Sequence, residues 1–408
     1  MRAPPQSKAL ANLSAPLPIL FFASAAHAMN HILLALYFTL VLVVSHEWAH
    51  DYASLIALWA PGAMLLGLGA PFAGWLGGRI GETRVMVLCF LGLGLASIAC
   101  GFAQSPATLG IALGLLGLSG SIYHPVALPW VVKHAARRGK AIASTGIAGS
   151  IGVALGPVIA GLFATVWGWR SAFIVPGAVT AALGLVLLFY YLTGRVTDRD
   201  GDAHQHHAPP TRRDTTRAFA ALGVTMTLAF IASSAFGTAV PKIVQSQPAF
   251  APYSLLVIGL IAGAIQLLGA GAQFAGGHMG DKGNARLAYA GGFVMLTLAY
   301  PMVALFSDWG MAIAAVIVVF FFEWTAPLET LFLARYTPEG QRGLIFGVRY
   351  GLAAIGTPAG VWLIARLYDP DTGFRYLMMA LSALAATAAI AAWFLPSESL
   401  RKAPLPAE

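Results

Sequence analysis

Three charged turns recur, in the same order, at half the length of the chain. Gly74-Trp75-Leu76-Gly77-Gly78-Arg79 lines up with Gly277-His278-Met279-Gly280-Asp281-Lys282, 203 residues on. Arg138-Gly139 returns as Arg342-Gly343 at an offset of 204, and Gly168-Trp169-Arg170 has a looser echo in Gly373-Phe374-Arg375 at 205. One order at nearly one offset is hard to produce by chance. The 408 residues are therefore two copies of one unit.

Apolar stretches fill the space between these turns. The chain is 58% hydrophobic and only 10% charged, whereas a soluble domain carries about 25% charge. Such a chain cannot solvate its own surface, and lipid must be its main solvent. A span needs roughly 20 apolar residues, and twelve stretches qualify: 17–44, 52–76, 85–103, 106–131, 138–166, 170–193, 217–241, 252–276, 285–306, 309–334, 341–366 and 373–395. The first is too long for the core of a signal peptide and reads as a span. The fold expected is an all-α membrane protein of twelve helices in two pseudo-symmetric six-helix bundles, 1–193 and 217–408. The polar stretch 194–216, with its acids, arginines, three histidines and Pro209-Pro210, reads as a solvated linker.

Lysine and arginine orient the chain. With both termini and the linker on the cytoplasmic side, 19 of them fall inside and four outside, namely Arg170, Lys242, Arg366 and Arg375, with Arg349 left within a span. That bias is the one found in inner-membrane proteins. The +8 net charge is spread over short loops, with no basic helix face, which argues against a nucleic-acid partner. Cys89 and Cys100 share one apolar stretch and read as small buried hydrophobes. No glycine loop ending in Lys-Ser or Lys-Thr suggests ATP use.

Twelve spans, six plus six, with these turns resemble the major facilitator superfamily over nearly the whole chain. Its loop motif after the second span is Gly-x-Leu-x-Asp-Arg-x-Gly-Arg-Lys. Gly74, Leu76, Arg79 and Gly81 match; Gly78 stands where the acid should be, and Glu82 and Thr83 replace the basic pair. The second copy keeps the acid as Asp281, beside Lys282. The resemblance implies a charge relay at this loop that helps hold one conformation, which Gly78 removes from the first half. Gly152-x-x-x-Gly156-Pro157-x-x-x-Gly161 on the fifth span is similar to the motif of the superfamily's exporters; small residues four apart also allow close helix packing. Tyr123-His124-Pro125, Arg138-Gly139-Lys140 and Asn30-His31 resemble the fosmidomycin-resistance branch of efflux proteins, where an acid is commoner than His31.

Ionisable groups at mid-membrane are costly and mark function by default. His27, Asn30 and His31 lie at i, i+3 and i+4, on one face of the first span. Tyr123 and His124 lie on the fourth span, Gln266 and Gln273 on the eighth, Glu323, Trp324 and Glu329 on the tenth, and Arg349 on the eleventh. Glu329 and Arg349 sit at matching depth on adjacent spans, so they are expected to pair, either as a gate or with Arg349 as an anion site. Glu323 lies nearer the midplane with no cation at its level and is the expected proton-coupling carboxyl, with a carboxyl kept neutral by a hydrogen bond and serving packing as the alternative. His31 and His124 titrate near neutral pH and are expected to handle protons or substrate, with helix-to-helix hydrogen bonds as the structural alternative. Arg79, Asp281, Lys282, Glu329, Gly156 and Pro157 are the expected gating residues.

His46-Glu47-Trp48-Ala49-His50 fits H-E-x-x-H, the zinc metalloprotease pattern. It falls at an outer loop, and the repeat already accounts for the whole chain. No catalytic residues, metal site or cofactor beyond the proton gradient is expected. The function expected is proton-coupled antiport exporting a small organic molecule or drug, by a monomer surrounded by lipid. Import of an organic anion is the alternative, with a membrane metalloprotease or a non-transporting receptor more remote.

Overall fold

A computed structural model describes residues 17–135, 138–198, 212–282, 284–337 and 342–396; the side chains at 138–140, 143, 212, 281–282, 334, 342–347, 350 and 353–355 lie outside that description. Fifteen helices run through the described residues: α1 (Leu17–Glu47), α2 (Tyr52–Ala57), α3 (Ala60–Ile80), α4 (Glu82–Gly101), α5 (Pro106–Gly120), α6 (Tyr123–His134), α7 (Arg138–Trp167), α8 (Trp169–Leu192), α9 (Arg212–Gln245), α10 (Leu255–Ala270), α11 (Ala272–Lys282), α12 (Ala285–Leu305), α13 (Asp308–Tyr336), α14 (Arg342–Leu367) and α15 (Arg375–Trp393). Eleven helical stretches among the described residues are long and apolar enough to cross a membrane. The expected eleventh span, 341–366, is the 26-residue α14.

Three expected spans are each built from two helices. The second joins α2 to α3, the fourth α5 to α6, and the eighth α10 to α11. The fourth restarts at Ser121-Ile122, which places Pro125 in the first turn of α6. Proline is tolerated there because the first N–H groups of a helix have no intrahelical partner. The restart puts Tyr123 and His124 at the head of a new helix.

Helices α1–α8, with the segment 250–267, form one compact unit; α9 and the chain from residue 268 onward form the other. Within the first, α1 packs chiefly on α7 and α4 on α8; within the second, α9 packs on α14 and α12 on α15. These pairs correspond under the sequence repeat, so the half-length offset is a repeat of packing. Small residues set it. A Cβ on Gly152 would lie 2.5 Å from the Ala28 carbonyl oxygen, and one on Gly156 2.6 Å from the Ala35 Cβ. Gly356 and Gly360, both 204 residues on, meet Phe230 (2.5 Å) and the Ile231 carbonyl (2.7 Å) in the same way. Where water offers no drive between helices, such close backbone approach supplies the dispersion contact that holds them. The turns repeat too: Gly168 and Gly373 both have positive φ, 86° and 61°.

The polar stretch 194–216 is not all solvated loop. Gly194–Asp198 folds back onto the first unit, and α9 already begins at Arg212. Residues 199–211, with His204, His206 and His207, lie outside the described residues.

Candidate functional site

Four rings gather inside the first unit. His27 and His31, one turn apart on α1, have centroids 4.9 Å apart. Tyr123 stacks on His27 at 4.5 Å and 24°. His124 meets His27 edge-on at 5.2 Å and 88°, and His31 at 5.7 Å. The Tyr123 hydroxyl donates to the Ala23 carbonyl over 3.1 Å, tying the head of α6 to α1. His27 Nδ1 lies 2.7 Å from the Thr145 carbonyl oxygen on α7. A carbonyl can only accept, so Nδ1 carries the proton and the Nε2 lone pair is left facing away from that bond. The ring fits only because Gly149 has no side chain: a Cβ there would fall 2.5 Å from His27 Nε2. One ring nitrogen from each of His27, His31 and His124 lies within 4.8 Å of the others.

The i, i+3, i+4 spacing therefore brings His27 and His31 together but does not deliver Asn30 to them. Asn30 is 1% exposed and turns toward α5, where its Oδ1 would lie 3.0 Å from a Cβ on Gly120. That Oδ1 has no hydrogen-bond partner among the described residues. Gln266, on α10, is half-buried.

The second unit holds two carboxyls in different company. Arg349 Nε donates to Glu329 Oε1 over 2.7 Å, with the guanidinium 5.9 Å from the Phe230 ring centroid. The depth match between the tenth and eleventh spans is thus realised as an ion pair. Glu323 instead accepts from the neutral amide of Gln273, Nε2 to Oε2, 2.5 Å. Among the described residues it makes no ion pair. Trp324, on the tenth span, turns its indole toward α12, where Nε1 donates to the Ala288 carbonyl over 3.0 Å. That is a helix-packing position.

The H-E-x-x-H stretch does not form a metal site. The motif needs both histidines on one helix face, but α1 ends at Glu47 and Ala49 adopts a left-handed φ of 53°. Glu47 accepts from Trp169 Nε1 (2.8 Å) and Arg170 Nη1 (2.9 Å), joining the end of α1 to the start of α8. Asp51 caps α2, and hydrogen bonds from Ser54 hold its carboxyl below the usual carboxylate range. A general base or third ligand has no place in this arrangement.

Sequence comparison agrees. Residues 20–247 and 222–408 each match the sequence profile of the Major Facilitator Superfamily. The chain belongs to that superfamily. Its members here are transporters, not enzymes. A "Multidrug resistance protein B homolog" of Mycobacterium tuberculosis is 28% identical over 159 residues, 37% of this chain and 29% of that protein. "Multidrug resistance protein MdtG" of a Rahnella species is 27% identical over 42% of this chain and 41% of its own length. The chain thus spans well under half of these relatives. A "Probable sulfoacetate transporter SauU" of Cupriavidus necator is 26% identical over 79% of this chain and 80% of that protein. Among solved structures, a bacterial homolog of the human lysosomal transporter Spinster, inward-facing and unoccupied, superposes with a TM-score of 0.67 at 16% identity, over 92% of this chain and 94% of that one. That likeness shows the fold.

The superfamily loop after the second span departs from its pattern here, and the residues at the start of α4 find partners elsewhere in the first unit. Asp198, from the end of the folded-back segment, accepts from the Thr83 N–H (2.9 Å) and hydroxyl (2.6 Å) at the first turn of α4. Trp130 Nε1 donates to the same hydroxyl (3.0 Å), and His134 bridges the Trp130 and Thr197 carbonyls (2.7 and 3.0 Å). Glu82, standing where the motif has a base, pairs with Lys133 of α6. Arg79 lies over its own helix neighbour Trp75, 5.1 Å from the centroid. Asp281 and Lys282 have side chains outside the described residues. Sequence reasoning missed Asp198 because it sat in a stretch read as solvated linker. Its partner Thr83 stands where the superfamily motif has a base, but a hydroxyl there names no particular acceptor.

Proposed function

We propose that this superfamily member is a proton-coupled antiporter that exports a small organic molecule by alternating access. It would sit in a bacterial inner membrane with both termini on the cytoplasmic side. Glu323 carries this reading. Its partner Gln273 is neutral, and an amide N–H can donate to a carboxylate or to the carbonyl oxygen of a carboxylic acid. The hydrogen bond survives either protonation state, as a proton carrier needs. Glu329, held by Arg349, has no such freedom and serves as a brace that opens or closes with α13 and α14. The ring cluster of His27, His31, Tyr123 and His124 is the substrate-facing group of the first unit. The multidrug-resistance relatives favour export.

A second reading is proton-coupled import of an organic anion; the relative named for sulfoacetate, which covers most of the chain, favours the organic-anion substrate. It requires Arg349 to release Glu329 to bind the anion.

Proton flux in sealed liposomes decides between them. The protein is reconstituted with an internal pH-sensitive dye and challenged with phosphonate antibiotics, other drugs and sulfonates, beside Glu323→Gln. Substrate-dependent flux lost in Glu323→Gln supports the coupling carboxyl. Flux of opposite sign to substrate movement means antiport, and flux of the same sign means symport. Coupled flux undiminished in Glu323→Gln would refute the assignment.

A further inference from the structure

The histidine cluster is more than three polar rings in an apolar bundle. His27, His31 and His124 each offer one ring nitrogen, all within 4.8 Å of one another and all half-buried. A dication bound by imidazole at about 2.0–2.1 Å in tetrahedral geometry sets neighbouring nitrogens roughly 3.4 Å apart. Closing the difference takes about 1 Å of ring movement, within reach of small χ rotations. His124 stands at the head of α6, beside the restart at Ser121-Ile122.

A second observation points to a ligand. Metal-binding histidines usually donate the other ring N–H to a carbonyl or carboxylate, which fixes the tautomer and the ring plane. His27 already does this through Nδ1 to Thr145 O at 2.7 Å, and Tyr123 stacked at 4.5 Å holds the other face of the ring. Gly149 opens the space in which the ring lies. Three imidazoles with no carboxylate suit a borderline first-row dication rather than calcium or magnesium, which prefer oxygen.

We propose that His27, His31 and His124 form a three-histidine site for a divalent transition metal of the zinc, cobalt or nickel type. A fourth coordination position remains for water or an anionic group. The ion ties α1 to α6. The site uses the rings that the proposed function turns toward substrate, and it deepens that reading by giving them an ion, whose open position would meet an anionic substrate group. Its binding test uses no residue of the Glu323 group and does not depend on proton coupling.

The test is metal binding by the full-length protein, purified without a histidine tag. The background variant replaces His46, His50, His204, His206, His207 and His278 with Gln and keeps His134, whose two ring nitrogens sit on the Trp130 and Thr197 carbonyls. Calorimetry with Zn2+ and visible absorption with Co2+ are then read on this background and on the same background carrying His31→Gln or His124→Gln. One equivalent bound by the background, weakened at least about 100-fold by either substitution, supports the site; that exceeds what loss of an outer hydrogen-bond partner typically does. X-ray absorption of the loaded background protein, which needs no change in the cluster, should show three imidazoles at about 2.0–2.1 Å. No binding by the background, undiminished affinity in either variant, or a shell without three imidazoles would each overturn it.

Discussion

Gly146 and Gly149 lie one turn apart on α7 and lead to opposite expectations. Nothing lies within 4 Å of where a Gly146 side chain would begin, whereas a Gly149 side chain would enter the His27 ring. Gly149→Ala should cost about 1–3 kcal/mol, because overpacking must displace the ring and break its bond to Thr145. Gly146→Ala should be neutral or stabilising by up to about 1 kcal/mol, from helix propensity. Thermal unfolding in detergent of the two variants, side by side, checks the contrast; equal losses would show that the His27 pocket is not rigid. A similar contrast separates the two carboxyls. Glu329→Gln removes the carboxylate to which Arg349 Nε donates, and because the Arg349 side chain is half-buried the loss should fall below the range for a fully buried pair, at about 1–3 kcal/mol. Glu323→Gln keeps an amide partner for Gln273 and should cost under about 1 kcal/mol by the usual range for a neutral hydrogen bond. Melting curves that ranked the two the other way would mean that Arg349 is satisfied without Glu329. At this scale the sequence revealed depth and helical face but not side-chain heading. Matched depth was enough to pair Glu329 with Arg349. Spacing on α1 was enough to bring His27 to His31. It could not tell that Asn30 turns to Gly120, because a 100° step per residue leaves i+3 and i+4 on different flanks of one face.

The fold-back of Gly194–Asp198 ties the end of one span to the start of another. Asp198 acts as a remote cap for α4, taking the Thr83 N–H that no intrahelical acceptor can reach. Asp198→Ala should therefore cost about 0.5–2 kcal/mol, the usual range for a lost helix cap. It should also speed amide exchange over the first turn of α4. Thr83→Val removes the hydroxyl that Asp198 and Trp130 share, and the double variant should be less destabilised than the sum of the singles. Additive losses, with exchange at Glu82–Val85 unchanged, would show that the segment rests on α4 without holding it. Helices themselves were legible from apolar length, because a chain in lipid must satisfy its backbone within each span. Breaks within spans were less so. Pro125 marks the restart of α6, yet Pro327 sits inside the continuous α13. The same residue type stands at the start of one helix and is absorbed inside another, and only tertiary packing separates the cases.

Two copies of one packing scheme follow from a repeat that the turns alone announced. Gly152 and Gly156 seat α1 as Gly356 and Gly360 seat α9, so the offset of 204 is written in the helix interfaces as well as the loops. The repeat does not extend to the chemistry. The first unit gathers histidines, and the second carboxyls, an amide and an arginine. Orientation is the molecule-scale property that follows from charge alone. Nineteen lysines and arginines on one side against four on the other predict that the turn 369–373 faces outward and the polar stretch around residue 207 faces the cytoplasm. Replacing Cys89 and Cys100 with Ala removes both native thiols. Asp371→Cys, in the exposed turn before α15, should then react with a membrane-impermeant maleimide on intact cells. His207→Cys should react only after the membrane is opened. The reverse pattern would place both termini outside and invert the direction assigned to any coupled flux, since the proton-motive force has a fixed sign while the protein's inside would have become its outside.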